Sequence, residues 1–209
     1  AGPAAMRVVH ALVLTSPAVP MLFMGEESGS RSPFQFFADH AGETLPRDYP
    51  GVSGERYVNP TGRNELRQMK VARDGKHLYF YVRTEEPLSP HTDERWMWLL
   101  LGVHGGSEPH WEGFDYIVNL EVDGTGSTSL HRCTGGWSWE AVANIPYRAQ
   151  GCELQLAIPR ARLEYPEGEE PLDLRFKWAD NLQVPGDPMD FYLSGDTAPV
   201  GRFAYRFRT

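Results

Sequence analysis

The chain has 209 residues, a formal net charge of −8 and a sequence pI near 5.4. Hydrophobic residues make up 41% and charged residues 23%, which is the composition of a globular protein and not of a disordered chain. No run of Lys and Arg interleaves with aromatic residues, so the electrostatic attraction that nucleic-acid and anionic-membrane binders use is missing. We therefore expect no nucleic-acid and no membrane partner, and a neutral or cationic ligand suits the charge.

The first strongly apolar stretch is VVHALVLTSPAVPMLFM at residues 8–24. His10, Pro17 and Pro20 interrupt it, and it is shorter than the roughly 20 residues that a membrane span needs. It also lacks the basic start and small-residue cleavage site of a signal peptide. The pattern predicts a helix at about 4–15 and a strand at 20–24, and it leaves the cellular compartment open.

A change of composition near residue 45 predicts two parts. Residues 1–45 form a short α/β appendage with its linker, and residues 46–209 form the main domain. The segment from 41 to 63 is rich in Gly and Pro and is interpreted as an extended lead-in.

After this lead-in, the alternation of apolar and polar residues has a period of two, which predicts nine strands. Turn signals such as ARDGKH and VDGTGS separate several of them. The pattern predicts a mainly β fold, an antiparallel and jelly-roll-like β-sandwich, in which no helix exceeds one or two turns. The strands are expected near residues 67–73, 77–83, 95–102, 115–122, 127–132, 152–158, 173–179, 188–193 and 202–207.

The two cysteines, Cys133 and Cys152, have neither CxxC nor metal-site spacing. Two buried free thiols are the expected state. One disulfide between neighbouring strands is the alternative.

Residues from about 4 to 42 contain ALVLTSPAVPMLFMGEESGSRSPFQFFADH. This string resembles the last strand and following loop of the catalytic barrel in family-13 glycoside hydrolases, especially malto-oligosyltrehalose trehalohydrolases and glycogen-branching relatives. Glycoside hydrolysis needs two carboxyl groups at a defined separation, whereas the adjacent Glu26 and Glu27 point in opposite directions on an extended segment. The segment is interpreted as a barrel fragment fused to another domain, and its apolar surface would favour self-association.

Residues from about 47 to 209 contain HWEGFDYIVN and FKWADNLQVPGDPMDFYLSGDTAPVGRFAYRF. These strings resemble the family-9-like carbohydrate-binding β-sandwich module. The resemblance implies glycan binding without catalysis, often a structural calcium ion, and an extracellular or periplasmic location.

Tryptophans are the candidate sugar-binding residues, because pyranose rings stack on aromatic faces. Six are present, and Trp96 and Trp98 precede a run of leucines, which predicts a core position for at least one of them. Three others lie in glycine-rich turns and are expected to form an exposed stacking platform: Trp111, Trp137 and Trp139.

Trp178, Asp180 and Asn181 combine a ring with hydrogen-bonding groups in one short stretch, which suits sugar binding. The alternative is a sandwich corner that side-chain to backbone hydrogen bonds hold in place.

A histidine-containing loop gives a second kind of candidate site. Members of the module family tend to carry an Asp-x-Asp pair where this chain has Gly102 and His104, so this loop lacks the oxygen ligands that the family's calcium site would use there. Imidazoles and carboxylates close in sequence instead suit zinc, with His131 as a further ligand from a neighbouring strand. The predicted metal ligands are His104, His110, Glu112 and Asp115.

Three functions follow from these patterns. The leading prediction is non-catalytic carbohydrate binding. The alternative is a small hydrolase of activated esters or phosphoesters that uses a metal-bound water at the histidine loop. The third is a structural domain in which every tryptophan is core.

Overall fold

The computed structural model describes residues 36–39, 47–50, 56–59, 62–103, 109–165 and 171–209. The helix predicted at 4–15 and the strand predicted at 20–24 lie outside the described residues, as does most of the proposed appendage.

The described residues form thirteen β-strands, one 3₁₀ helix and one short α-helix. The 3₁₀ helix spans Arg160–Leu163, and the α-helix, α1, spans Asp190–Leu193. In chain order the strands are β1 (Phe36–Asp39), β2 (Arg47–Pro50), β3 (Arg56–Asn59), β4 (Leu66–Arg73), β5 (His77–Thr84), β6 (Trp98–Gly102), β7 (Tyr116–Val122), β8 (Ser127–Gly135), β9 (Ser138–Gln150), β10 (Glu153–Pro159), β11 (Asp173–Asp180), β12 (Asp196–Ala198) and β13 (Tyr205–Arg208).

Eleven of these strands belong to one antiparallel sheet in the order β1-β4-β5-β10-β9-β8-β7-β6-β11-β12, with β13 also paired to β11. Strands β2 and β3 form a separate pair. The prediction of a mainly β, antiparallel fold is confirmed. The jelly-roll-like division into two sheets stays a prediction, because the hydrogen-bonded pairing runs without a break through the thirteen-residue strand β9.

The main core lies between distant parts of this sheet. Strand β5 alternates strictly, so that Leu78, Phe80 and Val82 point inward and are at most 1% exposed. The ring of Phe80 contacts Phe176 of β11 with centroids 5.6 Å apart, although five strands separate β5 from β11 in the sheet order. The sheet therefore folds over its own apolar face and buries it, which is the main contribution to stability.

One predicted strand is corrected, and one long strand is absent from the predictions. Residues 188–193 were expected as a strand but contain α1, because the Asp190 carboxylate accepts hydrogen bonds from the amide nitrogens of Gln183 and Val184 and from the Ser194 hydroxyl. Such local bonds hold the chain in a turn and compete with strand pairing. Strand β9 was not predicted, because most of its side chains are exposed and give no apolar alternation.

Both cysteines are free thiols, Cys133 buried and Cys152 partly buried. This confirms the expected free state and not the alternative disulfide. None of the helices in the described residues has the length and hydropathy that crossing a membrane requires.

Candidate functional site

Four of the six tryptophans pack on one another on the opposite face of the sheet from the main core. We call Trp98, Trp111, Trp137 and Trp139 the tryptophan cluster. The ring centroids of Trp137 lie 4.5 Å from Trp111, 5.6 Å from Trp98 and 5.3 Å from Trp139. Together with apolar side chains such as Phe191, these rings form a second, smaller hydrophobic core.

The turn after β11 covers part of this cluster. Gly186 has φ +89°, and a Cβ at this position would lie 2.8 Å from Cβ of Trp137, so only glycine fits here without a shift. The carbonyl of Gly186 accepts a hydrogen bond from the Trp111 indole nitrogen at 3.3 Å. Trp111 is 6% exposed, which corrects its prediction as part of an open platform. Trp137 and Trp139 are partly buried, and their role in sugar binding stays a prediction.

Below the cluster, Lys177 carries a fully buried ammonium group. It lies 4.6 Å from the ring centroid of Phe191 and donates hydrogen bonds to the carbonyls of Pro199, Gly201 and Phe203. A buried charge is tolerated only where it is paired or hydrogen-bonded. Lys177 therefore holds the loop after β12 against the tryptophan cluster. Its role is structural.

Trp178 and Asp180 are structural as well. Trp178 is 0% exposed and belongs to the main core, so no face of its ring is open to a ligand, and its predicted stacking role is corrected. The Asp180 carboxylate accepts hydrogen bonds from Arg63 at 2.8 Å and from the amide nitrogen of Met97 at 2.9 Å. Burial raises the pKa of Asp180, while Arg63 opposes the shift. These contacts agree with the alternative hypothesis for this stretch, a sandwich corner that side-chain hydrogen bonds hold in place.

Asn181 continues this corner. It has φ +59°, and its backbone and side-chain oxygens accept hydrogen bonds from the side-chain amide of Gln183 at 2.9 and 2.8 Å. Its oxygens are thus engaged within the turn.

The residues predicted as metal ligands do not converge where the structure describes them. The Nδ1 atom of His110 accepts a hydrogen bond from the amide of Gly113 at 3.1 Å, and Glu112 forms an ion pair with Arg202. Asp115 is 1% exposed and accepts a hydrogen bond from the amide of Val103 at 2.6 Å. His104 lies outside the described residues.

His131 is buried on β8, and burial lowers its imidazole pKa. No group of three or more His, Cys, Asp or Glu side chains within the described ranges is placed to hold a metal ion. The predicted zinc site therefore has no support in that part of the chain.

A different aromatic site lies on the outer face of β5, where Tyr79 and Tyr81 alternate with the buried residues of the strand. We call the depression around these two side chains the tyrosine groove. Its cavity volume is about 390 Å³, within the range of small-molecule sites. Tyr79 is 39% exposed. The groove runs across four strands, and its outward-facing lining residues are Lys70, Ala72, Tyr79, Tyr81, Pro146, Arg148, Gln155 and Ala157.

The sheet register explains the shape of the groove. Tyr79 lies between Ala72 of β4 and Ala157 of β10, whose short side chains leave space beside the ring. Tyr81 lies between Lys70 and Gln155, and Lys70 Nζ is 5.0 Å from the centroid of the Tyr81 ring. The groove is thus deepest beside Tyr79 and polar beside Tyr81.

Carboxylates hold both phenol groups. The Tyr79 hydroxyl donates to Asp74 at 2.7 Å, and the Tyr81 hydroxyl donates to Glu153 at 3.1 Å. The hydrogen bond to Asp74 raises the pKa of Tyr79, and burial together with the bond to Glu153 raises the pKa of Tyr81. Both phenols therefore stay neutral near pH 7, and their rings are fixed before a ligand arrives.

The tyrosine groove is absent from the sites predicted above, although HLYFYVR at residues 77–83 carries its signal. In a strand with aliphatic or aromatic residues at every inward position, the remaining aromatics must face outward. Two outward tyrosines on one strand are more informative than tryptophans in turns, because a strand fixes the direction of each side chain.

Comparison with known proteins finds similarity to malto-oligosyltrehalose trehalohydrolases. The protein of that name from Deinococcus radiodurans is 54% identical over 186 aligned residues, which cover 78% of this chain and 28% of the relative. Those from Arthrobacter ramosus and Brevibacterium helvolum are 54% and 57% identical over 39 and 35 residues, or 19% and 17% of this chain and 7% and 6% of the relatives. No protein-family model and no solved structure matches the chain.

The chain thus spans at most 28% of the length of these relatives. The expected similarity to trehalohydrolases is confirmed, and with 78% of the chain aligned it extends far beyond the first 40 residues. The resemblance of residues 47–209 to a family-9-like module stays a prediction.

Proposed function

We propose that this chain binds linear glucans of the malto-oligosaccharide type in the tyrosine groove and does not cleave them there. One observation carries the proposal: two tyrosine rings, fixed by hydrogen bonds to carboxylates, stand side by side in a groove bordered by polar side chains. The expectation of a carbohydrate-binding module is retained, and the site is moved from the tryptophans to the tyrosines.

Stacking of a pyranose ring would supply the apolar part of the affinity. Covering about 60 Å² of ring surface at about 25 cal/mol per Å² stabilises a complex by about 1.5 kcal/mol. This is about a tenfold change in Kd for each tyrosine. The rings are already oriented, so little of this energy is lost in ordering them.

Three polar side chains beside the rings can read sugar hydroxyls. Gln155 lies next to Tyr81 in the register, and Arg148 lies next to Gln155 on β9. Lys70 borders Tyr81 on the other side. Amide, guanidinium and ammonium groups offer several donors and one acceptor, which complements hydroxyls that both donate and accept.

Asp74, the carboxyl group beside Tyr79, does not suit the proton-donor role in glycoside hydrolysis. Hydrolysis needs one carboxyl group that carries a proton at the working pH. The hydrogen bond from Tyr79 and those from the amides of Lys76 and His77 lower the pKa of Asp74 to about 2. Asp74 is therefore ionised at neutral pH and cannot protonate a leaving group.

The ligand class follows from the relatives, whose names specify malto-oligosyltrehalose. A linear glucan also suits a groove that crosses several strands and is open to solvent. A structural calcium ion, which the module resemblance implies, remains part of the proposal, and a chelator tests it.

The first test is affinity electrophoresis of the chain on soluble glucans, xylans and mannans, with and without a chelator, followed by calorimetric titration with maltoheptaose. We expect retardation on glucans. Tyr79→Ala and Tyr81→Ala should each weaken maltoheptaose binding by about tenfold, because each removes one stacking ring. The matched control is Phe203→Ala, since Phe203 is an aromatic side chain, 74% exposed, that does not line the groove.

Tyr79→Phe separates stacking from hydrogen bonding. It keeps the ring and removes the hydroxyl that donates to Asp74, so the affinity should fall far less than in Tyr79→Ala. Uniform mobility on every polymer would reject glycan binding. Retardation that Tyr79→Ala and Tyr81→Ala leave unchanged would reject the groove as its site.

A further inference from the structure

A second cavity lies beside the tyrosine groove and has no part in the function proposed so far. We call it the His91 cavity. Its volume is about 460 Å³, also in the range of ligand sites. Polar groups that line it belong to Ser89, His91, Arg148 and Gln150.

Packing holds the walls of this cavity in place. Trp96 and Tyr147 contact edge to face with centroids 6.3 Å apart, and the Trp96 indole nitrogen donates to the Ser89 carbonyl at 2.9 Å. The amide of Leu88 donates to the carbonyl of Gly151 at 2.9 Å, which ties the loop before β6 to the end of β9. The cavity is thus part of the folded domain and not a gap between loose segments.

His91 is fitted closely into the opposite wall. Gly124, in the turn between β7 and β8, has φ +73°, and a Cβ at this position would lie 2.6 Å from Nε2 of His91. Glycine therefore permits the imidazole to approach the turn closely. The side chain reaches into the space between the two loops as a polar group that can bind a hydroxyl.

The two depressions adjoin along β9. Tyr147 and Arg148 line both the His91 cavity and the tyrosine groove. The amide of Tyr147 still donates to the carbonyl of Gly126 at 3.0 Å, just before β8, and beyond it residues 148–150 of β9 pair with β10 alone. Residues 148–150 thus form an edge of the sheet on the β8 side, and the two depressions meet at this edge.

We propose that the His91 cavity extends the tyrosine groove into one elongated site for an internal segment of a glucan chain. This inference rests on the proposed glucan binding in the groove. The two parts differ in chemistry, since the groove stacks sugar rings on tyrosines and the cavity binds hydroxyls through His91 and Gln150. A short oligosaccharide fills the groove alone, and a longer one also reaches the cavity.

The test is calorimetric titration with malto-oligosaccharides from maltose to maltoheptaose. The shortest oligosaccharide that stacks on both tyrosines fills the groove. We expect longer oligosaccharides to bind more tightly than this one, because they also reach the cavity. In His91→Ala, the loss of one hydrogen bond should weaken maltoheptaose binding by about fivefold and leave maltose binding unchanged. Gln150→Ala, at an exposed position on the same cavity, should also weaken maltoheptaose binding, and because Gln150 accepts a hydrogen bond from Arg148 at 2.9 Å, only His91→Ala tests the unchanged maltose binding.

Thr92→Ala is the matched control, because Thr92 is exposed next to His91 and does not line the cavity. Thermal unfolding of each variant verifies that the fold is kept. Equal affinities for short and long oligosaccharides, or His91→Ala and Gln150→Ala variants that bind maltoheptaose like the unsubstituted chain, would overturn the elongated site while leaving the groove intact. Weaker maltoheptaose binding in Tyr79→Ala, with His91→Ala and Gln150→Ala unaffected, would therefore keep the groove and reject only its extension. No binding by the unsubstituted chain would reject the proposed function itself.

Discussion

The tyrosine groove and the tryptophan cluster are both aromatic surfaces on outward faces of the same sheet, yet their chemistry differs. In the cluster, the neighbours of each ring are other rings, with Trp111 and Trp137 only 4.5 Å apart. In the groove, Tyr79 has alanines on both sides and keeps 39% of its surface exposed. The neighbours of an aromatic ring, and not its size, decide whether a ligand can stack on it.

This contrast has an energetic meaning. A ring packed against other rings has already lost most of its water-exposed apolar surface on folding. It therefore stabilises the fold, and little apolar surface remains for a ligand to cover. A ring held at its hydroxyl but open on its face contributes to binding instead. Substitutions in the two regions should therefore separate stability from affinity.

Trp178→Ala should give the largest loss of stability. Trp178 is fully buried in the main core, so truncation removes apolar contacts and leaves a cavity, at a cost of about 3–5 kcal/mol in the free energy of unfolding. Urea denaturation followed by circular dichroism measures this. Among molecules that remain folded, maltoheptaose affinity should be unchanged, because the ring does not reach the groove.

Trp178→Phe is the control for this prediction. The indole nitrogen of Trp178 is buried without a hydrogen-bond partner among the described residues, so phenylalanine keeps a core ring and removes an unsatisfied donor. It should cost much less than alanine. A Trp178→Ala variant as stable as the unsubstituted chain would contradict the assignment of this residue to the core.

Trp137→Ala should have an intermediate effect and tests the comparison most directly. The ring is partly buried and touches three other tryptophans, so its loss should lower the free energy of unfolding by about 1.5 kcal/mol. We expect no change in maltoheptaose affinity by calorimetry. If Trp137→Ala instead weakens binding as much as Tyr79→Ala is expected to, the exposed part of the cluster is the stacking platform.

Much of the fold could be predicted from the sequence because most strands bury one face. The alternation in HLYFYVR placed β5 within one residue of its observed end, and the strand expected at 173–179 placed β11 equally well. Strand β9 was missed because its pairing depends on backbone hydrogen bonds to β8 and β10, which leave no apolar pattern in an exposed strand. Residues 188–193 were misassigned because Asp190 organises a turn that alternation alone cannot reveal.

The candidate site was harder to predict, since it depends on which strands become neighbours. Glycine-rich turns suggested that Trp111 was exposed, but the turn around Gly186 folds over it. The tyrosine groove requires Ala72, Tyr79 and Ala157 to align across three strands, and β10 is far in sequence from the consecutive strands β4 and β5. Register is a long-range property that a single chain pattern does not specify.

Asp74→Asn should have the smallest effect on stability, and its effect should depend on pH. Asp74 accepts hydrogen bonds from the Tyr79 hydroxyl and from the amides of Lys76 and His77, which lower its pKa from 3.8 to about 2. Because the pKa is lowered by folding, the carboxylate contributes stability above pH 3.8, and this contribution is lost as the pH falls through about 2. The difference in thermal midpoint between the two proteins should therefore shrink over this interval.

The same substitution links the carboxylate to the groove. If Asp74 orients the Tyr79 ring, Asp74→Asn should also weaken maltoheptaose binding slightly, and Tyr79→Phe should weaken it to a similar extent, because each variant alters the same hydrogen bond. In the double variant the two losses should not add, since only one interaction is removed. Additive losses would mean that Asp74 and the Tyr79 hydroxyl act independently, and the position of the tyrosine ring would then depend on its packing against the two alanines and the His77 ring, whose centroid lies 5.8 Å away.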